Sequence, residues 1–185
     1  MIISIAGMPG SGKTTIAKLL AQQLDVPRYS VGDLRGKMAL ERGMTIDELN
    51  ALGEKEAFTD TEVDDYVKKI GESGEAFVID GRLAWHFIPH SLKVFLDVDA
   101  DEAAKRIFSA PREERMDETP LASPAEVKTS IAKRMASDQM RYQKYYNVDF
   151  LNRRNYDVVI DTTKMKPEDI VEEILAAARQ RRTGT

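Results

Sequence analysis

A glycine-rich stretch near the start of this 185-residue chain carries the residue types that hold a phosphate group. Residues 7–14 read Gly-Met-Pro-Gly-Ser-Gly-Lys-Thr and satisfy the pattern G-x-x-x-x-G-K-[ST]. Glycines let backbone N–H groups turn toward phosphate oxygens, and a helix that begins directly after them presents its positive end to the same anion. Lys13 adds a full charge for the β- and γ-phosphates of a nucleoside triphosphate, and the Thr14 hydroxyl is a ligand for Mg²⁺.

This pattern predicts an ATP site with Mg²⁺ at the loop, because it stands between an apolar strand and an amphipathic helix. An ordinary glycine turn before a helix is the alternative. Asp80 ends a second apolar run and is the natural carboxylate partner for the metal, although an aspartate there is often only a turn cap. The loop residues expected to bind ATP are Gly7, Met8, Pro9, Gly10, Ser11, Gly12, Lys13, Thr14 and Thr15.

Arginines stand at several positions suited to an anionic acceptor. Arg82 directly follows an Asp-Gly pair at the predicted carboxyl end of a strand, where open α/β sheets bind ligands. Arg106 lies on the helix after the next strand. Arg112 and Arg115 lie in a loop-like stretch with prolines at 111 and 120, a candidate lid that excludes water. The alternative for this pair is a solvated run of charges.

A further group of charges has helical spacing. Arg134, Asp138 and Arg141 are four and three residues apart, so they share one helical face, with the aspartate placed to orient both guanidinium groups. A solvent-exposed salt-bridge face is the alternative. Residues 105–154 hold eleven bases and seven acids, whereas residues 41–80 hold twelve acids and four bases. A basic segment on an acidic protein indicates a small anionic ligand.

The elements that must position these residues alternate along the chain. Apolar runs are followed by helical sequence, and residues 124–147 read as one long charged helix. The polar, helix-rich stretch 31–72 interrupts this alternation and is expected to be a helical insertion. The predicted fold is one α/β domain over 1–185, of the P-loop NTPase type, with three layers and a parallel five-stranded sheet. The predicted strands are 2–6, 27–30, 76–80, 94–98 and 157–161.

Composition excludes several classes of protein. Hydrophobic residues make up 42% and charged residues 31%, as in globular domains, and a net charge of −4 argues against a general nucleic-acid binder. Without cysteine and with two histidines, any metal must be held by oxygen. No apolar run approaches the length of a membrane helix and no signal peptide is recognisable. We expect a cytoplasmic monomer that binds small nucleotides and neither nucleic acid nor membranes.

Among P-loop proteins, the sequence favours small kinases. It has no N-K-x-D motif for guanine, and it is short for a motor ATPase. An alcohol acceptor must lose a proton, for which Asp33 or Asp80 could be the base, whereas a phosphate acceptor is already ionised and needs arginines instead. A nucleotide-binding regulatory protein without phosphoryl transfer stays open as a different class.

At this point the residues resemble a known family, the short, archaeal-type cytidylate kinases, over about residues 1–178. The more discriminating likenesses are the Asp-Gly-Arg position and the Arg-Asp-Arg spacing. The family usually carries arginine four residues after the glycine of Ser-x-Gly-Asp, where this chain has Gly36. Arg35 stands one residue before that position and Lys37 one residue after it, and either is a candidate contact for the acceptor phosphate. The matching segments are residues 30–33, 41–44, 80–82, 134–141, 141–149 and 161–163.

The resemblance implies a nucleoside monophosphate kinase with a monophosphate-binding insertion at 31–72 and a lid at 108–120, the latter holding Arg112 and Arg115. It implies that Arg82 holds the acceptor phosphate, that Arg134 and Arg141 contact phosphates, and that Asp138 touches the acceptor sugar. Arg106 and Thr163 are expected beside the donor adenine. The remaining acceptor-binding residues are expected to be Ser30, Asp33, Arg35 and Asp80.

The predicted reaction is Mg²⁺-dependent transfer of the γ-phosphoryl group of ATP to CMP, with dCMP and UMP as further candidate acceptors. The alternative within the same class is an adenylate kinase or another monophosphate kinase. The predicted catalytic residues are Lys13, Arg82, Arg134 and Arg141, and the predicted metal ligands are Thr14 and Asp80.

Overall fold

A computed structural model describes residues 1–110 and 121–184. The strands are β1 (Ile2–Gly7), β2 (Arg28–Ser30), β3 (Phe77–Asp80), β4 (Leu92–Asp97) and β5 (Val158–Asp161). The helices are α1 (Lys13–Leu24), α2 (Val31–Glu41), α3 (Ile46–Gly53), α4 (Phe58–Gly71), α5 (Ala84–Phe87), α6 (Ala100–Ser109), α7 (Pro124–Tyr146) and α8 (Pro167–Thr183). No helix within these described residues is both long and apolar enough to cross a membrane.

Five strands in the described part of the chain form one sheet, in the order β2-β3-β1-β4-β5. Every neighbouring pair is parallel. The central strand β1 is buried along its whole length, as expected for a strand with helices on both faces. The predicted parallel five-stranded sheet and the α/β fold class are confirmed.

The two faces of the sheet are covered by different helices, which gives three layers. On one face, apolar residues of α1 and α8 pack against Ile3 and Ile5 of β1. On the other face, Phe95 of β4 packs with Met135 and Tyr142 of α7. The long helix predicted from residues 124–147 is therefore the element that lies along the second face.

Three helices, all within the described residues 31–71, connect β2 to β3. Ser30 caps α2 by accepting a hydrogen bond from the Asp33 N–H, and Thr45 with Glu48 forms a capping box at the start of α3. These helices have a small core of their own, which includes Leu49 and Val63. α2, α3 and α4 thus occupy the stretch where the helical insertion 31–72 was expected, and a monophosphate-binding role for these helices stays a prediction.

The carboxyl ends of the strands meet at one edge of the sheet. Asp80 at the end of β3 is in register with Ser30 of β2 on one side and with Ile5 of β1 on the other. Asp97 and Asp161 are likewise opposite each other at the ends of β4 and β5. Parallel strands thus bring their polar last residues to the edge where the glycine-rich loop leaves β1.

Candidate active site

The glycine-rich loop runs from the end of β1 to the start of α1. Gly7, Gly10 and Gly12 have φ values of 146°, 77° and 87°. Residues with a Cβ atom rarely adopt such positive φ values. A Cβ atom on Gly7 would lie 2.2 Å from the Leu96 carbonyl oxygen. The loop conformation therefore depends on these glycines for backbone freedom and, at Gly7, for close packing against β4.

Lys13 begins α1, as predicted, and its side chain curls back over the loop. Its Nζ donates a hydrogen bond to the Met8 carbonyl oxygen at 2.7 Å. The ammonium group and the first N–H groups of α1 thus lie on the same loop, the arrangement that binds phosphate oxygens. Ser11 is buried in this loop, whereas Thr14 and Thr15 are exposed on the first turn of α1.

Asp80 and Thr14, the two predicted metal ligands, lie close together. The Thr14 hydroxyl is 3.5 Å from Asp80 Oδ2, and the Ser30 hydroxyl donates to the same oxygen at 3.1 Å. Arg28 donates to Asp80 Oδ1 from Nε at 3.0 Å, and its second guanidinium nitrogen, Nη2, is 2.9 Å from that oxygen. Burial raises the pKa of Asp80, and Arg28 and Ser30 oppose that rise.

Two of the predicted arginines meet at Asp138. Arg82 forms an ion pair with one carboxylate oxygen of Asp138, and Arg141 forms another with the second oxygen. Burial alone would raise the pKa of Asp138, but the guanidinium groups of Arg82, Arg141 and Arg134 outweigh it and hold the pKa below its usual range. Asp138 and Arg141 of the predicted face are thus buried and Arg134 is half-buried, so the solvent-exposed alternative for this face is wrong.

The same arginines are electrostatic neighbours of the loop lysine. Burial is the main cause that lowers the pKa of Lys13 to about 7; Arg82 and Arg134 contribute to this fall, and Asp80 and Asp138 oppose it. Arg82, which follows β3, and Arg134 of α7 therefore add positive charge near the lysine of the glycine-rich loop. This is the environment of an anion site, since a bound phosphate would relieve the repulsion between these cations.

Arg141 pairs with Asp138, as Arg82 does, and also with Asp60. Its side chain is fully buried, and its Nη1 is 2.5 Å and 2.6 Å from the two carboxylate oxygens of Asp60 on α4. Arg35 of α2 donates to Asp60 at 2.8 Å and to Asn50 at 3.0 Å. The network joins the helices between β2 and β3 to α7, and through Asp138 to Arg82.

A narrow cleft lies between this network and the loop after β3. It is lined by Arg35, Asp60, Asp64 and Arg82 together with apolar side chains of α2, α4, α5 and α7. It encloses about 20 Å³, which is about the room that one water molecule needs. In this conformation the cleft is therefore too small for a nucleotide.

The predicted donor side is built from α6 and the loop after β5. Arg106 donates to the carbonyl oxygens of Thr162 and Thr163, at 3.0 Å each, and one of its nitrogens is 3.5 Å from the Gly10 carbonyl oxygen. Arg106 therefore ties the glycine-rich loop to the loop after β5. Thr163 receives a hydrogen bond from the Asp99 N–H, which fixes the position of that loop.

The remaining predicted residues fall in three kinds of place. Ser30 and Arg35 lie inward, where Ser30 contacts Asp80 and Arg35 contacts Asp60. Asp33 is exposed and pairs with Arg28 at 3.3 Å. Arg112 and Arg115, predicted for a lid, lie outside the described residues.

Sequence reasoning missed four residues of this site: Arg28, Asp60, Asp64 and Tyr146. Strand periodicity was a usable signal for Arg28, because residues 28 and 30 share one face of β2. Helical periodicity was another, because Asp60 and Asp64 are four apart and alternate with Val63 and Val67 on the buried side of α4. Because residues 41–80 hold many acids, Asp60 and Asp64 could not be told apart by sequence from the acids that face solvent.

Fold and loop together are those of a P-loop kinase, with Arg82 after β3 and Arg134 on α7 among the charged neighbours of Lys13. The profile of the cytidylate kinase-like family matches residues 2–164, and the chain belongs to that family. A cytidylate kinase of Methanothrix thermoacetophila is 35% identical over 97% of this chain and 98% of its own length. One of Methanosarcina barkeri is 31% identical over 96% of each chain.

A longer relative also contains a segment like this chain. The S-adenosylmethionine-dependent nucleotide dehydratase of Lacinutrix mariniflava is 33% identical over 94% of this chain, but the match covers 35% of that protein. Among solved structures, shikimate kinase of Bacteroides thetaiotaomicron aligns with a TM-score of 0.63 at 18% identity, over 100% of this chain and 99% of its own. That likeness shows the shared fold.

Proposed function

We propose that this protein transfers the γ-phosphoryl group of ATP to CMP and releases ADP and CDP, with dCMP and UMP as secondary acceptors. The observation that carries the proposal is the position of Arg82 and Arg134 as charged neighbours of Lys13, whose pKa is lowered by burial and by these two guanidinium groups. Membership of the cytidylate kinase-like family supports the choice of acceptor. A phosphate acceptor fits the arginines because it is already ionised and needs charge neutralisation rather than a base.

Each cation has a separate task in this proposal. Lys13 holds the β- and γ-phosphates of ATP at the glycine-rich loop. Arg82 holds the acceptor phosphate, and Arg134 stabilises charge on the transferred group from the side of α7. Because the acceptor oxygen carries no proton to remove, positioning and electrostatic stabilisation account for the catalysis.

Arg141 and Asp138 support these groups in the conformation described. Asp138 pairs with both Arg82 and Arg141, while Arg141 also pairs with Asp60. We infer that α2 and α4 move relative to α7 when the acceptor binds, and that the acceptor phosphate then replaces Asp138 as the partner of Arg82. Arg82 exchanges one ion pair for another, so its charge is never left unpaired. Direct contact of Arg141 with a phosphate, and of Asp138 with the acceptor sugar, remain predictions.

Mg²⁺ fits the oxygen groups at the start of α1. The Thr14 hydroxyl and Asp80 lie 3.5 Å apart, and among the described residues no cluster of three or more acidic or histidine side chains could hold a metal by itself. Such a sparse set suits an ion that retains waters and takes further oxygens from nucleotide phosphates. When bound, Mg²⁺ would neutralise charge on the β- and γ-phosphates. Arg28 and Ser30 keep the Asp80 carboxylate oriented toward Thr14.

On the donor side, we propose that the adenine lies against Arg106 and the loop that carries Thr163. Arg106 donates to the carbonyl oxygens of Thr162 and Thr163 and to the Thr162 hydroxyl, so its planar guanidinium is held in place. A fixed guanidinium plane is a suitable surface for a purine ring.

The expected monomer and its cytoplasmic location stay predictions.

The experiment is a panel of acceptors. Purified protein receives Mg²⁺ and ATP with CMP, dCMP, UMP, AMP, GMP or shikimate in turn, and ADP release is measured. We expect CMP to give the highest kcat/KM. A preference for AMP would identify an adenylate kinase, and a preference for shikimate would identify an alcohol kinase. Slow ATP hydrolysis that no acceptor changes would point to a regulatory nucleotide-binding protein.

A further inference from the structure

One buried threonine joins three parts of the donor side. Thr162 directly follows β5 and is fully buried. Its hydroxyl group shares its hydrogen between two carbonyl oxygens, that of Asp97 at 2.8 Å and that of Ser11 in the glycine-rich loop at 3.2 Å. The same hydroxyl accepts a hydrogen bond from Nη1 of Arg106 at 3.3 Å. A single side chain thus contacts the end of β4, the glycine-rich loop and α6.

The position of this hydroxyl is fixed by the rest of the residue. The Thr162 N–H donates to the Asp97 carbonyl oxygen at 2.9 Å, and the Thr162 carbonyl oxygen accepts from Nη2 of Arg106 at 3.0 Å. A β-branched side chain also has few χ1 rotamers. Thr162 is therefore a rigid support against which the glycine-rich loop can be held.

The contact with Ser11 has a geometric consequence for the next residue. The peptide bond between Ser11 and Gly12 is trans. In a planar trans peptide, the carbonyl group and the following N–H group point in opposite directions. Because the Ser11 carbonyl group is held against Thr162, the Gly12 N–H group points away from Thr162.

The preceding peptide has the same arrangement. The Gly10 carbonyl oxygen lies 3.5 Å from a guanidinium nitrogen of Arg106, and the Ser11 N–H donates to the Met8 carbonyl oxygen at 3.2 Å. Lys13 Nζ donates to that same Met8 oxygen at 2.7 Å. Two successive carbonyl groups of the loop therefore face the donor-side helix and strand end, while the Ser11 N–H faces the side where the lysine ammonium lies.

Gly12 makes an external support for this peptide necessary. Its φ value is 87°, and glycine adopts positive and negative φ values about equally readily. A Cβ atom added at Gly12 would meet no atom of the described residues within 4 Å, so close packing does not restrain this position. The peptide between Ser11 and Gly12 is therefore free to rotate unless a hydrogen bond holds its carbonyl group.

We propose that Thr162 is a positioning residue for phosphoryl transfer, because its hydroxyl holds the Ser11 carbonyl group and so turns the Gly12 N–H toward the phosphates of ATP. The proposal rests on the proposed function, since it places ATP at the glycine-rich loop. It gives Thr162 a role in phosphate binding, whereas the adenine is expected at Thr163. An N–H group that already points at the anion binds it without a further cost of ordering the loop.

The test compares the affinity of the unmodified protein and of Thr162→Val for ATP and for tripolyphosphate. Isothermal titration calorimetry measures both Kd values, with Mg²⁺ present and without an acceptor. Valine keeps the branched shape but removes the hydroxyl, so the Ser11 carbonyl loses this hydrogen bond. We expect both Kd values to rise by at least about 5-fold, and Thr162→Ser, which keeps the hydroxyl, to restore them.

Tripolyphosphate makes the test specific, because it has no base. An unchanged Kd for tripolyphosphate in folded Thr162→Val overturns the proposal. This holds even if the affinity for ATP falls, since Thr162 would then act on the adenine side and not on the glycine-rich loop.

Ser4→Ala separates positioning from stability. Ser4 of β1 is also buried, and its hydroxyl lies 2.7 Å from the Ser91 hydroxyl and 3.4 Å from the Leu92 carbonyl oxygen. We expect Ser4→Ala to lower the free energy of unfolding, as Thr162→Val does, but to leave both Kd values unchanged. An equal rise of Kd in both variants would mean that affinity follows stability, which overturns the proposal.

A measurement on the unmodified protein decides the case in which Thr162→Val does not fold. The amide proton of Gly12 is followed by NMR during titration with tripolyphosphate. We expect it to shift downfield, because it becomes a hydrogen-bond donor to a phosphate oxygen. A Gly12 amide that does not respond overturns the proposal.

The outcome also separates this proposal from the proposed function. If the unmodified protein binds ATP but does not phosphorylate CMP, the proposed acceptor is wrong, and the Kd comparison still decides the role of Thr162. If the unmodified protein binds neither ATP nor tripolyphosphate, both proposals fail together.

Discussion

Asp60 on α4 and Arg141 on α7 form a buried ion pair, with Nη1 of the arginine 2.5 Å and 2.6 Å from the two carboxylate oxygens. The pair joins residues 81 positions apart in the sequence. It connects the helices between β2 and β3 to the helix whose arginines face the phosphate-binding loop. The pair therefore holds α4 and α7 together beside the narrow cleft that Asp60 lines.

Replacing Asp60 should cost the protein much of its stability. Asp60→Ala leaves the buried guanidinium groups of Arg35 and Arg141 without their shared carboxylate, and breaking a buried pair in this way costs about 3–5 kcal/mol. Urea unfolding measures the free energy of unfolding. Asp65→Ala is the matched control on the same helix and should change it by less than about 1 kcal/mol. Similar values for both variants would show that the buried network is not a stabilising element.

Removing the two principal cations should abolish turnover while the fold is kept. Lys13→Ala and Arg82→Ala should each lower kcat by at least about 100-fold, because each removes a charge that stabilises the transferred phosphoryl group. Steady-state ADP release measures the loss, and circular dichroism checks the fold. Arg154→Ala, at an exposed arginine, is the control and should be near normal. Near-normal rates in either of the first two variants would contradict the assigned roles.

The lowered pKa of Lys13 predicts a pH effect with a defined sign. Burial, together with Arg82, brings this pKa to about 7, so the free protein loses the lysine charge as the pH rises through 7. We expect kcat/KM for ATP to decline above pH 7, since this parameter reports the free protein. The triphosphate raises the pKa once it is bound, so kcat should stay level to a higher pH.

Lys13→Arg supplies the comparison for this pH effect. Arginine keeps its charge throughout the range, so whatever activity the variant retains should not decline near pH 7. A flat profile of kcat/KM for ATP between pH 6 and 9 in the unmodified protein would show that Lys13 is charged throughout.

The sheet and its edge were predictable because the responsible signals are local. The runs at β1, β3 and β4 are apolar without alternation, as strands buried on both faces are, and each ends in a glycine or an aspartate. The glycine-rich loop with Lys13 is a local pattern of the same kind. The shared face of Arg134, Asp138 and Arg141 also follows from helical spacing alone, although its burial does not.

The partners of these residues could not be predicted, because they come from distant elements. Asp60 meets Arg141 only through the packing of α4 on α7, and Arg28 meets Asp80 only through the pairing of β2 with β3. Arg35 illustrates the same limit. One position on a helix turns a side chain by about 100°, and in the structure the Arg35 side chain donates hydrogen bonds to Asp60 and Asn50.

Transfer of a labelled phosphoryl group tests the central claim most directly. ATP labelled at its γ-phosphate is incubated with the protein, Mg²⁺ and CMP, and the products are separated. The account predicts label in the β-phosphate of CDP, dependent on both Lys13 and Arg82. Label that appears only as inorganic phosphate, at a rate that CMP does not alter, would contradict it.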